Sequence, residues 1–262
     1  MAIDVGVFGA GGRMGSTVCQ TVADAPDLRL VAAIDPHHAG LDLSQIGIRG
    51  PSMQVAAKAD TGRSAHVMVD FTEIGAAREN LRWCAANGVH AVVGTTGFTP
   101  DDFAEFDRLF ASSAANAVIA PNFAIGAVLM MRFAELAAPY FESVEIIELH
   151  HDEKSDAPSG TAMLTAERMA AASKEWSADP TRHEVVPGAR GGQGPGGIRI
   201  HSVRLRGLVA HQEVVFGTTG QSLNLRHDSY DRSSFMPGVL MAIRTVGDRA
   251  GLTVGLDTLL DV

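Results

Sequence analysis

The sequence lacks the features that define several classes of protein. Its 262 residues include only two cysteines, Cys19 and Cys84, too few for a disulfide framework. No stretch reaches the roughly 18 consecutive apolar residues expected of a membrane span. The chain starts with an apolar segment and shows neither the basic region nor the cleavage site of a secretion signal. We therefore expect a soluble, cytoplasmic protein.

The chain also lacks any concentration of basic residues. Its 21 Lys and Arg are outnumbered by 30 Asp and Glu, which gives a formal net charge of −9. Binding to the phosphate backbone of nucleic acid requires a basic face, so we expect no nucleic-acid partner. A small anionic substrate stays compatible with this composition, because a local cationic pocket can override the overall sign.

Short apolar segments alternate with helical patterns through the first 120 residues. The predicted strands are Ile3–Phe8, Leu28–Ile34, His66–Phe71, Ala91–Gly94 and Ala117–Ala120. Strands that are apolar throughout and separated by helices indicate a parallel sheet covered on both faces. The fold class predicted for this part is a Rossmann-like, doubly wound α/β sheet.

The pattern changes after Pro121. A long helix from about Ile125 precedes a strand at Val144–His150, a polar loop and a second helix from about Gly160. Residues 187–197, PGARGGQGPGG, look too glycine-rich to pack, so we expect a flexible surface loop there. Three closely spaced strands then follow, at Ile198–Arg206, His211–Gly217 and Ser222–His227. Their spacing predicts a second, α+β domain with a mixed or antiparallel sheet, which begins near residue 122.

A glycine-rich turn follows the first predicted strand. It reads GAGGRMG from Gly9 to Gly15, and Met14 stands where G-x-G-x-x-G would have its third glycine. Glycines let the backbone approach a pyrophosphate, and the start of the next helix supplies N–H groups. Asp35 ends the second strand, 20 residues beyond Gly15, where a carboxylate can bind a ribose 2′-hydroxyl. We interpret this as a dinucleotide site; the alternative is a structural turn with a surface aspartate.

Asp35 also bears on the choice of cofactor. A carboxylate repels a 2′-phosphate, and the next residue, Pro36, offers no compensating cation. Arg13 could reach the adenosine side and weaken that repulsion. We therefore expect NADH to be favoured and NADPH to be accepted as well.

Two further turns follow predicted strands. They are Gly94-Thr95-Thr96-Gly97 and Ala120-Pro121-Asn122-Phe123. Ligands of open α/β sheets bind beyond the carboxyl ends of the strands, which places both turns near a nicotinamide ring. Ordinary turn chemistry explains the same residues equally well.

The segment most informative about chemistry is ELHHDEKSDAPSGTA, residues 148–162. His150, His151 and Lys154 place up to three cations in a short loop. A histidine can donate a proton near neutral pH, and a lysine can hold a carboxylate. Ser159-Gly160-Thr161 predicts a helix N-terminus whose N–H groups suit a carboxylate. The alternatives are a solvated loop with an ordinary helix cap, or a zinc site, which is disfavoured because adjacent strand residues point to opposite faces.

These motifs resemble the 4-hydroxy-tetrahydrodipicolinate reductase family, formerly dihydrodipicolinate reductase, of bacterial lysine and diaminopimelate biosynthesis. The family pattern is a histidine pair, a lysine three residues after the second histidine, and then DAPSGTA. Other similar segments occur in family order: GAGGRMG at Gly9–Gly15, VDFT at Val69–Thr72, GTTG at Gly94–Gly97, APNF at Ala120–Phe123, IRIHSVRLRGLV at Ile198–Val209, and Phe235–Ile243. The resemblance implies NAD(P)H-dependent reduction of 4-hydroxy-tetrahydrodipicolinate, a small dicarboxylate, to 2,3,4,5-tetrahydrodipicolinate.

The resemblance also implies residue roles and an assembly. His150 would be the catalytic acid, together with the catalytic Lys154. The implied substrate contacts are His151, Lys154, Ser159, Gly160 and Thr161. The implied cofactor contacts are Gly9, Ala10, Gly11, Gly12, Arg13, Met14, Asp35, Gly94, Thr95, Thr96, Ala120, Pro121, Asn122 and Phe123. Residues 1–121, completed by 232–262, would bind the dinucleotide, and residues 122–231 would bind substrate and form a homotetramer. No metal is implied.

One departure and two competing functions bear on this hypothesis. Many family members carry a basic residue that helps accept NADPH where Pro36 stands here. An aldehyde dehydrogenase would need an activated thiolate, but Cys19 and Cys84 fall within predicted helices. A dinucleotide-sensing regulator without turnover would keep the glycine turn and Asp35. It would have no use for the cationic cluster at His150–Lys154.

Overall fold

The computed structural model describes residues 2–173 and 175–260, which form two compact units. The first unit combines the chain up to Ala124 with the segment that starts at Arg232, and the second runs from Ile125 to Asp231. Each unit contains one sheet and its own core of buried apolar side chains.

The strands and helices of the described residues are numbered in chain order. The strands are β1 Ile3–Phe8, β2 Leu28–Ile34, β3 Val67–Asp70, β4 His90–Val93, β5 Ala117–Ile119, β6 Ser143–His150, β7 Gly192–Gln193, β8 Arg199–Arg204, β9 Ala210–Thr218, β10 Gln221–Ser229 and β11 Leu252–Val254. The helices are α1 Arg13–Asp24, α2 Ile74–Asn87, α3 Pro100–Ala111, α4 Ile125–Ala137, α5 Gly160–Ala172, α6 Met236–Thr245 and α7 Asp257–Leu260. None of these helices has both the length and the apolar character that crossing a membrane requires.

The first unit contains a six-stranded sheet in the order β11-β5-β4-β3-β1-β2, in which every neighbouring pair is parallel. Central strands such as β3 are buried at every position, as expected of a sheet covered on both faces. The predicted Rossmann-like sheet is therefore confirmed. Strand β11 was missed from the sequence; it has three residues and lies at the edge of the sheet. Parallel pairing brings the carboxyl ends of the strands, and the turns that follow them, to one edge.

Local sequence fixes the ends of the helices around this sheet. Thr99 and Asp102 form a reciprocal capping box at the start of α3, and Pro100 occupies the first helical position. Helix α2 ends at Gly88, whose φ of +69° suits glycine. On α3, Phe106 and Phe110 are fully buried against the sheet core. Caps and apolar spacing thus give these helices definite ends and a definite inner face.

The second unit contains a five-stranded sheet in the order β10-β9-β6-β8-β7. Strand β6 pairs antiparallel with β9 and parallel with β8, so the predicted mixed sheet is confirmed. Alternate residues of β6, Val144 and Ile146, are buried in a core that includes Ala166 and Met169 of α5. Side chains at every second position of a strand share a face, so Glu148 and His150 extend this inner row.

The glycine-rich segment differs from its prediction. Strand β7 pairs with β8, and the turn at residues 195–197 lies against α5. Gly196 has φ of +65°, and a Cβ there would lie 2.7 Å from the Cβ of Ala170. The expectation that this segment is too glycine-rich to pack is therefore wrong for residues 191–197, whereas its predicted surface position agrees with the structure, in which none of these residues is buried. The missing side chains allow the backbone to lie directly on its neighbours.

Candidate active site

The turn after β1 places backbone N–H groups at the carboxyl edge of the parallel sheet. Gly9 has φ of +69°, and Gly12 N donates to Gly9 O at 2.9 Å. A Cβ at Gly15 would lie 1.9 Å from Gly9 O, so helix α1 packs directly on the turn. The N-cap residue of α1 is Gly12, which has no side chain to cap the first amides of the helix. The first turn of α1 carries no acidic residue. This cradle fits a pyrophosphate, which such helix starts bind.

Asp35 is held against the same turn. Its carboxylate accepts hydrogen bonds from Gly11 N at 3.0 Å and from His37 N at 2.9 Å, and His38 Nδ1 lies 3.2 Å from Oδ2. Burial acts to raise the pKa of Asp35, but the His38 ring and the two N–H donors outweigh burial and lower it. The carboxylate is therefore ionised near neutral pH. Sequence reasoning missed His38, because the motif considers only the residue directly after the acid.

The ring of His38 also covers the glycine turn. A Cβ at Gly11 would lie 2.1 Å from His38 Nδ1, so only glycine leaves room for the ring in this position. The His38 side chain is 37% exposed, which leaves part of it open to solvent or to a ligand. A histidine at this point adds a protonatable group beside the carboxylate that faces the predicted ribose site.

The turns after β3 and β4 are joined through the buried Asp70. Its carboxylate accepts from Thr72 N and Thr72 Oγ1, both at 2.7 Å, and from Asn80 Nδ2 at 2.8 Å. Burial raises the pKa of Asp70 against the effect of these donors. Thr95 Oγ1 donates to Thr72 O at 2.8 Å, which connects the Gly94–Gly97 turn to the turn before it. These hydrogen bonds thus connect the turns after β3 and β4 at the carboxyl edge of the sheet.

The predicted cofactor contacts all lie in the first unit, at or beyond the carboxyl ends of its strands. Ala10, Thr95, Ala120 and Phe123 are buried and support the edge, whereas Arg13 is exposed. Asn122 Oδ1 accepts a hydrogen bond from Ala124 N at 2.8 Å. The predicted catalytic and substrate residues all lie in the second unit.

In the second unit, His150 is the last residue of β6 and shares a face with Glu148. Nδ1 of His150 lies 2.5 Å from Glu148 Oε2, and the His150 side chain is 15% exposed. The Glu148 side chain is completely buried and also accepts from Arg204 Nη1 at 2.9 Å and Nη2 at 2.8 Å. Burial acts to raise the pKa of Glu148, but hydrogen bonds from His150 and Arg204 lower it to about 2. This carboxylate is ionised at neutral pH.

The loop after His150 carries Lys154 and leads into α5. Lys154 Nζ donates to both carboxylate oxygens of Asp156, at 2.7 and 2.9 Å, and its side chain is 22% exposed. Ser159 Oγ accepts from Ala162 N at 3.2 Å, so the predicted N-cap forms. A Cβ at Gly160 would meet no atom within 4 Å. The loop before α5 therefore carries the partly exposed ammonium group of Lys154, and the helix start that follows it is exposed at Gly160.

Two models of one protein family match the chain, one over each part. Residues 3–123 match the N-terminal model of dihydrodipicolinate reductase, and residues 126–260 match its C-terminal model. The chain belongs to the dihydrodipicolinate reductase family.

Relatives in this reductase family align over almost the whole chain. A 4-hydroxy-tetrahydrodipicolinate reductase of Nocardia farcinica is 51% identical, and one of Corynebacterium diphtheriae is 47% identical, with 100% of both chains covered in each case. The solved structure of a dipicolinate-bound dihydrodipicolinate reductase from Paenisporosarcina sp. TG-14 superposes with a TM-score of 0.87 at 42% identity, over 98% of this chain and 99% of that one. The family predicted from the motifs and the predicted class, a nicotinamide-dependent oxidoreductase, are confirmed.

Sequence reasoning missed two residues that lie beside His150, the predicted proton donor of this reductase. Glu148 precedes His150 by two positions, so strand periodicity could have placed them on one face. Arg204 lies within a segment that resembled the family, but no role was assigned to it. It is 56 positions from Glu148, and only the pairing of β6 with β8 brings the two together.

Two alternative chemistries, a nucleophilic cysteine and a metal site, can be compared with the structure. Cys19 and Cys84 are buried, and burial raises the pKa of both thiols, that of Cys19 to about 12. Neither suits a nucleophilic thiolate. Within the described ranges, no group of three or more His, Cys, Asp or Glu side chains is arranged to hold a metal ion.

Proposed function

We propose that this chain reduces 4-hydroxy-tetrahydrodipicolinate, by way of dihydrodipicolinate, to 2,3,4,5-tetrahydrodipicolinate in lysine and diaminopimelate biosynthesis. The observation that carries the proposal is the match of both parts of the chain to one reductase family, with the glycine turn and the histidine–lysine loop both present. No contact in the described residues favours a dinucleotide sensor without turnover.

The first unit supplies the dinucleotide site in this proposal. The turn from Gly9 to Met14 borders the pyrophosphate, and the amides of Arg13 and Met14 at the start of α1 hold it, since the N–H groups of Gly9 to Gly12 already donate within the unit. Asp35 binds the adenosine ribose. The turns at Gly94–Thr96 and Ala120–Phe123 border the nicotinamide. When bound, the cofactor supplies a hydride from its nicotinamide C4.

We further propose that NADH is favoured and NADPH is accepted. The ionised Asp35 accepts two backbone hydrogen bonds and can still pair with ribose hydroxyls, but it repels a 2′-phosphate. Two basic side chains reduce that repulsion. His38 lies 3.2 Å from the carboxylate, and Arg13 is exposed at the start of α1. Pro36 stands where many family members have a cation.

The second unit binds the dicarboxylate and supplies the proton. Lys154 and the backbone amides of Gly160 and Thr161 hold a substrate carboxylate, and His151 contacts the substrate. Lys154 must exchange its bond with Asp156 for one with the substrate. As hydride adds to the ring, negative charge develops on the conjugated nitrogen–carbon system, and His150 donates the proton that neutralises it.

We propose a homotetramer formed through the sheet of residues 122–231, with residues 1–121 and 232–262 as the dinucleotide-binding part. One face of that sheet is buried against α4 and α5, and the other carries partly exposed apolar side chains, among them Ile147 and Val215. Light scattering coupled to size-exclusion chromatography measures the oligomer directly. A monomer at micromolar concentration would contradict this part of the proposal.

The activity is tested in a coupled assay that generates the substrate from pyruvate and aspartate semialdehyde with the preceding synthase. We expect synthase-dependent oxidation of NADH, and slower oxidation of NADPH. His150→Ala should lower kcat by at least about 100-fold, since general acid catalysis contributes that much. His183→Ala is the control, because His183 is exposed in a loop outside the site. A chain that binds the dinucleotide but oxidises neither form would refute the proposed reaction.

A further inference from the structure

The buried Glu148 is the centre of a hydrogen-bond network behind His150. Its Oε2 lies 2.5 Å from His150 Nδ1, and its carboxylate accepts from both terminal nitrogens of Arg204 and from Ser159 N at 3.3 Å. Arg204 Nη2 also donates to the backbone carbonyl of Asp156 at 2.6 Å. One fully buried carboxylate thus connects the end of β6, the end of β8 and the start of α5.

Taking a carboxylate out of water is costly, and a buried ion pair is weak evidence for stability by itself. Glu148 is well compensated, but the same strand position filled by an apolar residue would continue the row formed by Val144 and Ile146. The network is therefore better explained by what it does to His150, whose Nε2 is the ring nitrogen left after Nδ1 pairs with Glu148.

We infer that Glu148 is a positioning residue, which accepts the Nδ1–H of His150 and thereby makes Nε2 the nitrogen that donates the proton. An ionised carboxylate can only accept at Nδ1, so it selects the Nδ1–H tautomer of the neutral ring. During turnover, the Nε2–H bond of the imidazolium breaks as the substrate gains the proton. The ring is left neutral in that tautomer, and solvent restores the proton. This inference rests on the proposed function.

Arg204 has a second, electrostatic part in the same network. A lone buried carboxylate would hold the imidazolium strongly and oppose proton release. Arg204 cancels that charge with two hydrogen bonds to Glu148, so the pair keeps the ring oriented without trapping its proton. The other titratable side chains near the ring in sequence are those of His151, Asp152, Glu153, Lys154 and Asp156. Asp152 pairs with Arg206, Lys154 pairs with Asp156, and the residue opposite His150 on β9 is the uncharged Ala210.

The two partners should therefore shift the pH dependence in opposite directions. A catalytic acid is active while protonated, so kcat/KM falls as the pH rises through its titration. In Glu148→Gln this descending limb should move to lower pH, because the imidazolium loses a stabilising charge. In Arg204→Met it should move to higher pH. We expect Glu148→Gln to lower kcat on the order of 10- to 1000-fold, in the range of orienting residues behind catalytic histidines.

The matched control is Glu145→Gln. Glu145 lies on the same strand and also pairs with an arginine and a histidine, Arg190 and His201, but it is on the opposite face and outside the site. This variant should keep the kcat and the pH profile of the unmodified chain when size-exclusion chromatography shows the same assembly for both. A loss of kcat in Glu145→Gln as large as that in Glu148→Gln would overturn the inference, since removal of any carboxylate that pairs with an arginine and a histidine on this strand would then have the same effect.

A direct measurement avoids any variant that fails to fold. Nitrogen-15 NMR of the full chain, with His150 assigned by comparison with His150→Ala, reports which ring nitrogen carries the proton in the neutral form. We expect the proton on Nδ1. A neutral ring protonated at Nε2 overturns the inference even if the chain is an active reductase. Conversely, an inactive chain with the Nδ1–H tautomer refutes the proposed reaction and leaves the geometry of the pair intact.

Discussion

The stability of the second unit should depend on pH through Glu148. Its pKa is about 2 in the folded chain, against an ordinary value of 4.5. A carboxyl whose pKa is lowered by folding stabilises the protein at pH values above its unfolded pKa, and that contribution is lost as the pH falls through the folded pKa. The perturbation that isolates this contribution is Glu148→Gln, which removes the titrating group and keeps its shape.

The size of the effect follows from the two pKa values. A shift of one pKa unit corresponds to a free-energy difference of about 1.4 kcal/mol. The lowered pKa of Glu148 therefore adds about 3 kcal/mol to the free energy of unfolding above pH 5. The same relation predicts that about 2 kcal/mol of this is already lost at pH 3. Removing one partner of a buried pair costs about 3–5 kcal/mol. Glu148→Gln should thus lower the free energy of unfolding of the second unit by about 3–5 kcal/mol at pH 7. At pH 3 the loss should be about 2 kcal/mol smaller.

The two tryptophans make the measurement specific to one unit. Trp176 packs against the core of the second unit and Trp83 against that of the first. In a Trp83→Phe background, urea unfolding followed by fluorescence reports the second unit alone. Glu145→Gln, whose carboxylate is 34% exposed, should show a smaller change with pH. A difference between Glu148→Gln and the parent that is the same at pH 7 and pH 3 would refute the reasoning.

Three further predictions concern the two binding regions. Gly15→Ala should weaken binding of the dinucleotide at least tenfold by calorimetry, because its Cβ would overlap Gly9 O and displace the start of α1; unchanged affinity would contradict the cradle. Lys154→Met should raise KM and lower kcat in the coupled assay, since both positioning and charge stabilisation are lost, and an effect on KM alone would limit Lys154 to binding. His38→Ala should weaken binding of adenosine 2′,5′-bisphosphate more than binding of AMP in calorimetric titrations at pH 6. Equal losses of affinity for the two nucleotides would show that His38 does not contribute to cofactor selection.

Local features of the sequence were enough to predict much of the fold. Apolar strands separated by helices predict a parallel sheet, because each such strand must be buried on both faces. The same reasoning places the glycine turn and Asp35 at one edge, since parallel strands share their carboxyl edge. The caps at Thr99 and Ser159 also depend on neighbours three residues away, within reach of sequence patterns.

The sequence alone determined the family and the fold class and predicted the segments that carry the chemistry, because these depend on residue types at short, fixed spacings. The tertiary structure decided which distant residues meet. The pairing of β6 with β8 places Arg204 on Glu148, and the folding of the turn after β2 places His38 on Gly11. The glycines of residues 191–197 looked unable to pack, yet they lie against β8 and α5 because nothing on them prevents close approach. Such contacts depend on register and shape, which no local pattern contains.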